Sequence, residues 1–250
     1  MNLLLSRILT YLNSSLADDN YYRFCKFLVN NYLMLEDLDF NEIILKSKLD
    51  RKDIINFCNL LGFENYEEFK EQLLRDYVLR VDQIRARMLG INSDWIINKM
   101  GNEYFDKDIQ QTIGKLCNKI FKAKKVILIG GLYPMSITVE LQTDLVTFGK
   151  PVYQYHEFDK KMIIEADDVV IFISATGRSM KSFMKIKNTL NINDAYSILI
   201  TQNKIYTLDQ YKIANDVILV PGKFDGIEFN HQIMTICDLI RVCYYQQYYL

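Results

Sequence analysis

The segment 174-SATGRSMKS-182 carries residue types suited to binding a small anion. It follows an apolar run, 169-VVIFIS-174, of the kind that forms a buried strand. A helix that begins within the segment would direct backbone N–H groups outward, and such groups attract anions. The positions that supply hydroxyl groups, or that let the backbone approach a ligand, are Ser174, Thr176, Gly177 and Ser179. The pattern predicts a phosphate-binding loop; the alternative is an ordinary capped loop with a helix behind it.

Two further strand ends carry small or polar residues. In 130-GGLYPMS-136, the residues that could face a ligand are Gly130, Gly131 and Ser136. Leu132 and Met135 stand where the second and third glycines of G-x-G-x-x-G would be, so we expect no dinucleotide cofactor. The third end, residues 201–203, offers polar groups without a pattern of its own. Ligands of open α/β sheets bind at the carboxyl ends of strands, so these segments are candidate site loops.

The sequence contains two histidines, His156 and His231. Either could act as a base or contact a ligand, although a partly buried histidine satisfied by its neighbours is the commoner case. His231 is the better candidate for touching a ligand, because it begins the last helix. No G-x-S-x-G motif and no metal-ligand spacing is present. We therefore predict no catalytic residue, no metal and no cofactor.

The second half of the sequence alternates helices with apolar strands. A helix over 106–123 comes first, and a long helix, Glu228–Tyr245, closes the chain. The apolar runs between them are 126-VILIGG-131, 151-PVYQY-155, 169-VVIFIS-174, 197-SILIT-201 and 217-VILVPG-222. Continuous apolar strands separated by helices indicate an α/β domain with a parallel five-stranded sheet flanked by helices.

The first half reads as helices only, with apolar residues at helical spacing. Its last helix begins at Tyr66 and is predicted to end near Val78. Mixed charged and apolar residues then indicate a partly helical connector. The predicted domains are an all-α domain over 1–77, a connector over 78–104 and the α/β domain over 105–250.

Charge and composition narrow the function classes. Residues 1–77 hold 9 Lys and Arg against 13 Asp and Glu, and the rest of the chain holds 21 against 18. A net charge of −4 in the first half counts against DNA binding, which favours positive charge. No apolar stretch is long enough to span a membrane, and the apolar start is too short for a signal peptide. The five dispersed cysteines indicate reduced thiols and a cytoplasmic protein.

The α/β half resembles a SIS (sugar isomerase) domain over about residues 105–246. In that family a strand ends in S-x-S-G-x-T, which 174-SATGRS-179 matches with both exchanges keeping a hydroxyl. The first loop departs from the family's G-x-G-x-S at Leu132 and Pro134. The resemblance implies that a sugar phosphate binds here. The ligand residues would be Ser174, Thr176, Gly177 and Ser179, with Gly130, Gly131, Ser136 and His231.

The all-α half resembles the helix-turn-helix of RpiR-type transcriptional regulators. The matching segments are 50-DRKDIINFCNLLGFENYEEFKEQL-73 and 25-CKFLVNN-31. The two resemblances together imply a homodimeric or homotetrameric regulator whose affinity for an operator DNA depends on a sugar phosphate. The residues expected to touch DNA are Arg51, Lys52, Asn56 and Asn59. In that family the recognition helix usually has Ser or Thr near its start and Arg before the Phe; here Asp50, Asp53 and Asn56 stand at those positions, and Asp near phosphates is repulsive.

Two other functions remain open. One is a degenerate interaction module that keeps both folds but binds neither DNA nor sugar. The other is a sugar-phosphate isomerase, in which His156 or His231 would supply the base. The tail 244-YYQQYYL-250 is apolar and aromatic, which suggests either a dimer contact or docking on its own domain.

Overall fold

The computed structural model describes residues 3–100, 108–186 and 194–250. The chain divides into two compact units. The first, here the helical unit, comprises Met1–Arg87, Thr143–Pro151 and His156–Asp159. The second, here the sheet unit, comprises Met88–Gln142, Val152–Tyr155 and Lys160–Leu250.

The helical unit is built from amphipathic helices, some of which begin at side-chain caps. Its long helices are α1 (Leu4–Ser14), α2 (Asn20–Asn30), α3 (Phe40–Ser47), α4 (Arg51–Leu60) and α5 (Tyr66–Met88), with a short 3₁₀ turn at Tyr32–Met34. Asp19 accepts a hydrogen bond of 2.7 Å from the Tyr22 N–H and so caps α2. Asp39 and Glu42 form a reciprocal capping box at the start of α3. These caps fix where the helices start.

Helix α5 is longer than the sequence predicts, and the expected end near Val78 is wrong. Buried residues continue at helical spacing beyond that point, with Arg80, Ile84 and Met88 all below 9% exposed. The mixture of charges that suggested a connector lies on the opposite face of the same helix. The next helix-stopping residue is Gly90, whose φ of +75° suits a chain reversal.

A buried ion pair lies within the helical unit. Arg80 of α5 donates from Nε to Oδ1 of Asp144 at 2.8 Å, and both side chains are at most 5% exposed. One turn earlier, Asp76 accepts hydrogen bonds from the Leu4 N–H at 2.5 Å and from Gln72 Nε2 at 2.7 Å. Asp76 therefore caps α1 from a distant part of the sequence.

The sheet unit contains the five-stranded parallel sheet that the sequence predicts. Its strands are β1 (Val126–Gly130), β2 (Val152–Gln154), β3 (Val169–Ile173), β4 (Tyr196–Thr201) and β5 (Asp216–Leu219). The strand order is β2-β1-β3-β4-β5, and every neighbouring pair is parallel. All residues of β3 and β4 are buried, which explains why these strands read as continuous apolar runs.

The remaining helices belong to the sheet unit, apart from residues 143–147. They are α6 (Ser93–Met100), α7 (Ile109–Lys122), α8 (Leu132–Ile137), α9 (Val139–Thr147), α10 (Arg178–Ile186) and α11 (Gly226–Tyr248). Helix α11 extends beyond its predicted span at both ends. Its aromatic end packs within the sheet unit, because the rings of Tyr248 and Phe121 stack with centroids 4.0 Å apart. The predicted start of the first helix, at residue 106, lies outside the described residues.

Two further observations concern membrane-spanning helices and the cysteines. Within the described ranges, no helix combines the length and apolar character needed to cross a membrane. The five cysteines are free and buried.

We expect the replacement Arg80→Met to lower the free energy of unfolding by about 3–5 kcal/mol, because it leaves the Asp144 carboxylate buried without its partner. The double variant Arg80→Met, Asp144→Leu should recover most of that loss. Urea unfolding followed by circular dichroism measures both. Arg75→Ala removes an ion pair whose side chains are 58% and 70% exposed, and should cost less than about 1 kcal/mol. Equal losses for Arg80→Met and Arg75→Ala would contradict this role.

Candidate functional site

The loop after β3 is held by its own hydroxyl groups. Ser174 Oγ accepts a hydrogen bond from the Ser179 N–H at 3.4 Å, and Thr176 Oγ1 accepts one from the Arg178 N–H at 3.3 Å. The Gly177 N–H donates to the Ser174 carbonyl at 3.0 Å. Backbone N–H groups that the sequence predicts to face a ligand therefore form hydrogen bonds within the loop itself. The two bonds to hydroxyls are long, so an anion that offers shorter ones can replace them.

Gly177 has a packing role that the sequence does not reveal. Its φ is +76°, and a Cβ added there would lie 2.0 Å from the ring of Tyr206. Tyr206 is buried, and Lys181 Nζ lies 5.5 Å from the centroid of the same ring. The group that approaches Gly177 in this structure is thus a tyrosine from the segment after β4. No local sequence pattern marks Tyr206, because its contact depends on strand order.

The loops after β1 and β3 are neighbours. Gly130 pairs with Ile173 in the parallel register, so Gly131 and Ser174 follow adjacent strand ends. A Cβ on Gly130 would lie 2.8 Å from the Ile173 carbonyl oxygen, whereas one on Gly131 would meet nothing within 4 Å. Gly130 therefore serves the packing of the sheet, and Gly131 is open. Ser136 is exposed on the short helix α8.

Residues after β4 brace the loop after β3. Thr201 Oγ1 donates to the Ala175 carbonyl at 2.9 Å, and the Gln202 N–H donates to the same carbonyl at 3.0 Å. Asn203 Nδ2 donates to the Thr176 carbonyl at 3.1 Å. The sequence shows residues 201–203 only as a polar strand end. In the structure, their hydrogen bonds hold the backbone of the loop after β3 in place.

Gln202 also supplies a buried acceptor. Its Nε2 donates to Gln232 Oε1 at 3.1 Å and to the Pro221 carbonyl at 3.2 Å. Its Oε1 is buried and has no hydrogen-bond partner within the described residues. A Cβ on Gly222 would lie 2.2 Å from Gln202 Nε2 and 3.0 Å from Glu228 Oε2. An amide oxygen and a carboxylate thus lie near the ends of β4 and β5, where they suit a ligand's hydroxyl groups.

The two histidines occupy different units. His156 belongs to the helical unit, where its Nε2 lies 3.2 Å from the Leu12 carbonyl oxygen and its ring stacks on Phe158 at 5.0 Å. Burial lowers the pKa of His156 below its usual value. His156 is therefore a partly buried histidine whose hydrogen-bonding and packing needs are met by its neighbours, which is the commoner case for a histidine. His231 is exposed in α11, in the sheet unit.

The four residues expected to touch DNA all lie on α4. Arg51, Lys52 and Asn59 are exposed and Asn56 is half-buried. Lys52, Asn56 and Asn59 share one face because they are four and three residues apart. Arg51 is held over the ring of Phe40, with its guanidinium carbon 4.7 Å from the centroid. A three-residue turn with Lys48 in the left-handed conformation joins α3 to α4.

In the described part of the chain, no three His, Cys, Asp or Glu side chains are grouped so that they could hold a metal ion.

Comparison with known proteins gives structural neighbours only. No family model matches the sequence, and no curated protein matches it. The chain is similar to the NanR protein of Vibrio vulnificus complexed with ManNAc-6P, at 12% identity and a TM-score of 0.46, over 99% of this chain and 93% of that one. It is also similar to the sugar isomerase domain of an RpiR transcription factor from Sphaerobacter thermophilus, at 13% identity and a TM-score of 0.44, over 66% and 89% of the two chains.

A third neighbour is a protein of Methanococcus jannaschii whose structure infers a 3-hexulose-6-phosphate isomerase function. It shares 21% identity at a TM-score of 0.46, over 67% of this chain and 90% of that one. By their names, these neighbours include one transcription factor and one inferred isomerase. Because each TM-score is below 0.5, we take the function from the chain's own residues.

We expect Gly177→Ala to lower the free energy of unfolding by about 1–3 kcal/mol, because alanine is strained at positive φ and its Cβ would strike Tyr206. Thermal and urea unfolding measure the change. Gly131→Ala is the matched control, since its backbone is extended and its surroundings are open. That variant should be neutral or slightly stabilising. A Gly177→Ala protein as stable as Gly131→Ala would disprove the contact.

The lowered pKa of His156 predicts a pH dependence of stability. The folded protein favours the neutral ring, whereas the unfolded chain takes up a proton below about pH 6.5. The stabilisation that comes from keeping this ring neutral is complete above about pH 6.5 and declines as the pH falls below that value. His156→Gln should therefore flatten the loss of unfolding free energy between about pH 7 and about pH 5. A His156→Gln variant that keeps the wild-type slope over this range would contradict the assignment.

Proposed function

We propose that this protein is a transcriptional regulator that binds an operator through α3 and α4 and senses a sugar phosphate at the loop 174–179. The observation that carries the proposal is the arrangement of Ser174 and Thr176. Their hydroxyls lie at the carboxyl edge of a parallel sheet, on the backbone of a helix start. Such a position is where α/β proteins bind phosphate groups.

Phosphate binding would exchange partners within the loop. The long hydrogen bonds from Ser179 and Arg178 to the two hydroxyls would give way to bonds with phosphate oxygens, which are charged and therefore stronger acceptors. The same hydroxyls would then donate to the phosphate. The exposed guanidinium of Arg178 adds a positive charge beside the first turn of α10. The brace from Thr201 and Asn203 keeps the carbonyls of the loop fixed during this exchange.

The sugar moiety would occupy the neighbouring strand ends. The Gln202 oxygen that has no hydrogen-bond partner among the described residues and the carboxylate of Glu228 are two acceptors whose side chains approach Gly222. A buried acceptor that lacks a partner costs about 1–3 kcal/mol, and a ligand hydroxyl would remove that cost. Gly131, Ser136 and His231 complete the set of residues that we assign to the ligand.

DNA binding would use the exposed face of α4. Two helices joined by a short turn are the elements of a helix-turn-helix, whose second helix enters the major groove. Asn56 and Asn59 can read adenine edges, and Lys52 can neutralise a phosphate. The net charge of −4 in residues 1–77 limits attraction from a distance. We therefore expect binding to depend on few phosphate contacts and on a paired site for a dimer or tetramer.

The placement of His156 removes one of the two histidines that could serve as the base of a sugar-phosphate isomerase. An isomerase needs a base within hydrogen-bond reach of the sugar carbons. His156 belongs to the helical unit and is engaged with Leu12, so we assign it no chemistry. We assign the protein to the cytoplasm, where its operator and its effector would both be present; its free, buried thiols suit that compartment.

Sugar-phosphate binding is tested by calorimetry with hexose 6-phosphates, hexosamine 6-phosphates and inorganic phosphate. We expect one sugar phosphate to bind, and Ser174→Ala to weaken it by about 10- to 100-fold, because a hydrogen bond to a charged group is lost. The control is Ser182→Ala, an exposed serine on α10 outside the loop. Equal weakening in both variants, or no binding of any member of the panel, would reject the ligand site.

DNA binding is tested by fluorescence anisotropy on DNA from upstream of the protein's own operon, at several salt concentrations. Lys52→Ala should weaken binding and reduce the slope of log affinity against log salt by about one. The control, Lys122→Ala, removes an exposed positive charge on α7 and should have no such effect. Absence of binding at any salt concentration, with and without sugar phosphates, would leave the degenerate module as the better description.

A further inference from the structure

We propose that the outward face of α5 is a self-association surface, on which a second copy of the chain docks antiparallel about a two-fold axis between Val78 and Leu79. The surface would give the proposed regulator its subunit pairing, and in that sense the inference rests on the proposed function. The pairing itself requires neither DNA nor sugar phosphate.

The outward face of α5 exposes apolar side chains at its centre. Val78 is 57% exposed and Leu79 is 50% exposed, on a helix that buries Leu73, Arg80 and Ile84 on its other side. These two residues lie near the middle of the 23-residue helix. Val78 and Leu79 give the otherwise charged face an apolar centre, as the core of a protein–protein interface has.

The apolar surface continues onto the 3₁₀ turn at Tyr32–Met34. In that turn Leu33 is 49% exposed and Met34 is 54% exposed. Leu74 lies one helical turn before Val78, and it shares a cavity of about 180 Å³ with Leu33. The complete lining of the cavity is Tyr32, Leu33, Leu35, Glu36, Leu73, Leu74 and Tyr77. A mostly apolar cavity beside exposed aliphatic residues can accept a side chain from a docking helix.

The charges along the face are complementary to themselves in the antiparallel direction. A two-fold axis between Val78 and Leu79 places Arg75 of one copy opposite Asp82 of the other, and the reverse pair forms at the same time. Glu71 then lies opposite Ala86, which Arg85 and a second arginine, Arg87, flank in sequence. The two-fold axis thus forms two identical pairs of opposite charge and brings each Glu71 near arginines of the other copy, as an isologous interface allows.

The parallel arrangement is disfavoured by the same charges. Two parallel copies in register would place Glu71 against Glu71, Arg75 against Arg75 and Asp82 against Asp82. In the single chain these groups make exposed contacts within the helix, Arg75 with Glu71 at 3.4 Å and with Gln72 at 3.2 Å, and Arg85 with Asp82 at 3.9 Å. Such pairs are weak, so little is lost when the side chains turn to a second copy.

Charge reversal tests the register directly in the full-length chain, by sedimentation velocity over a range of protein concentrations. Arg75→Asp would place two carboxylates opposite each other, and Asp82→Arg would do the same with two guanidinium groups. Each single variant should form assemblies with half as many subunits as the wild type, or dissociate at concentrations at least about tenfold higher. The double variant Arg75→Asp, Asp82→Arg restores opposite charges and should recover the wild-type assembly.

Two controls separate this register from general effects of charge. Lys122→Asp makes the same change in charge at an exposed site on α7 and should leave the assembly intact. Circular dichroism checks that each variant keeps its helix content. A monomeric wild type, single variants that assemble normally, or a double variant that fails to recover would each overturn the proposal.

Cross-linking provides a second readout that does not depend on charge. Val78→Cys places a thiol beside the proposed axis, and mild oxidation should join two copies covalently. The five native cysteines are buried, so they should not compete in the folded protein. Leu45→Cys, at a position 78% exposed on α3, is the matched control and should stay unlinked. Equal cross-linking at both positions would contradict the surface, whatever the outcome of the DNA and sugar experiments.

Discussion

The parallel register of β1, β3 and β4 is the constraint on which the candidate site depends. Each strand is buried on both faces, so its backbone groups must pair with the neighbouring strands and cannot shift by one residue. Gly130 pairs with Ile173, and Ile173 pairs with Ile200. Three chain segments far apart in sequence therefore leave the sheet at the same edge, where their polar residues meet.

The loop 174–179 uses the same hydroxyl groups to cap its own helix and, in our proposal, to contact a ligand. A helix start leaves N–H groups without partners, and Ser174 and Thr176 satisfy two of them from their own side chains. A loop capped in this way is stable without a ligand and still able to exchange its long bonds for stronger ones. Tyr206 and the residues after β4 keep the backbone in place, so the exchange involves side chains more than chain movement.

The helical unit owes its shape to buried polar contacts as well as to apolar packing. Asp159 accepts a hydrogen bond from the Tyr22 hydroxyl at 2.8 Å and pairs with Lys26, and Asp144 pairs with Arg80. A buried carboxylate tolerates few alternative arrangements, because any that leaves it unpaired is costly. These contacts draw residues 143–151 and 156–159 into the helical unit.

The sequence by itself determined the features that depend on local pattern. Continuous apolar runs specified the parallel strands, because a strand covered on both faces needs apolar residues at every position. Hydroxyls and a glycine directly after such a run marked 174–179 as the candidate loop. Periodic apolar residues located the helices of the first half, including α4 with its exposed Lys52.

Only the tertiary structure decided the features that depend on partners distant in sequence. The true end of α5 followed from the burial of Arg80 and Ile84, which mixed charges on the other face concealed. The contact of Tyr206 with Gly177 and the unpaired oxygen of Gln202 depend on strand order, which no local spacing encodes. His156 was assigned to packing because Leu12 and Phe158 surround it. Local periodicity reports which side of an element is buried, whereas the identity of the group on the other side is set by the three-dimensional path of the whole chain.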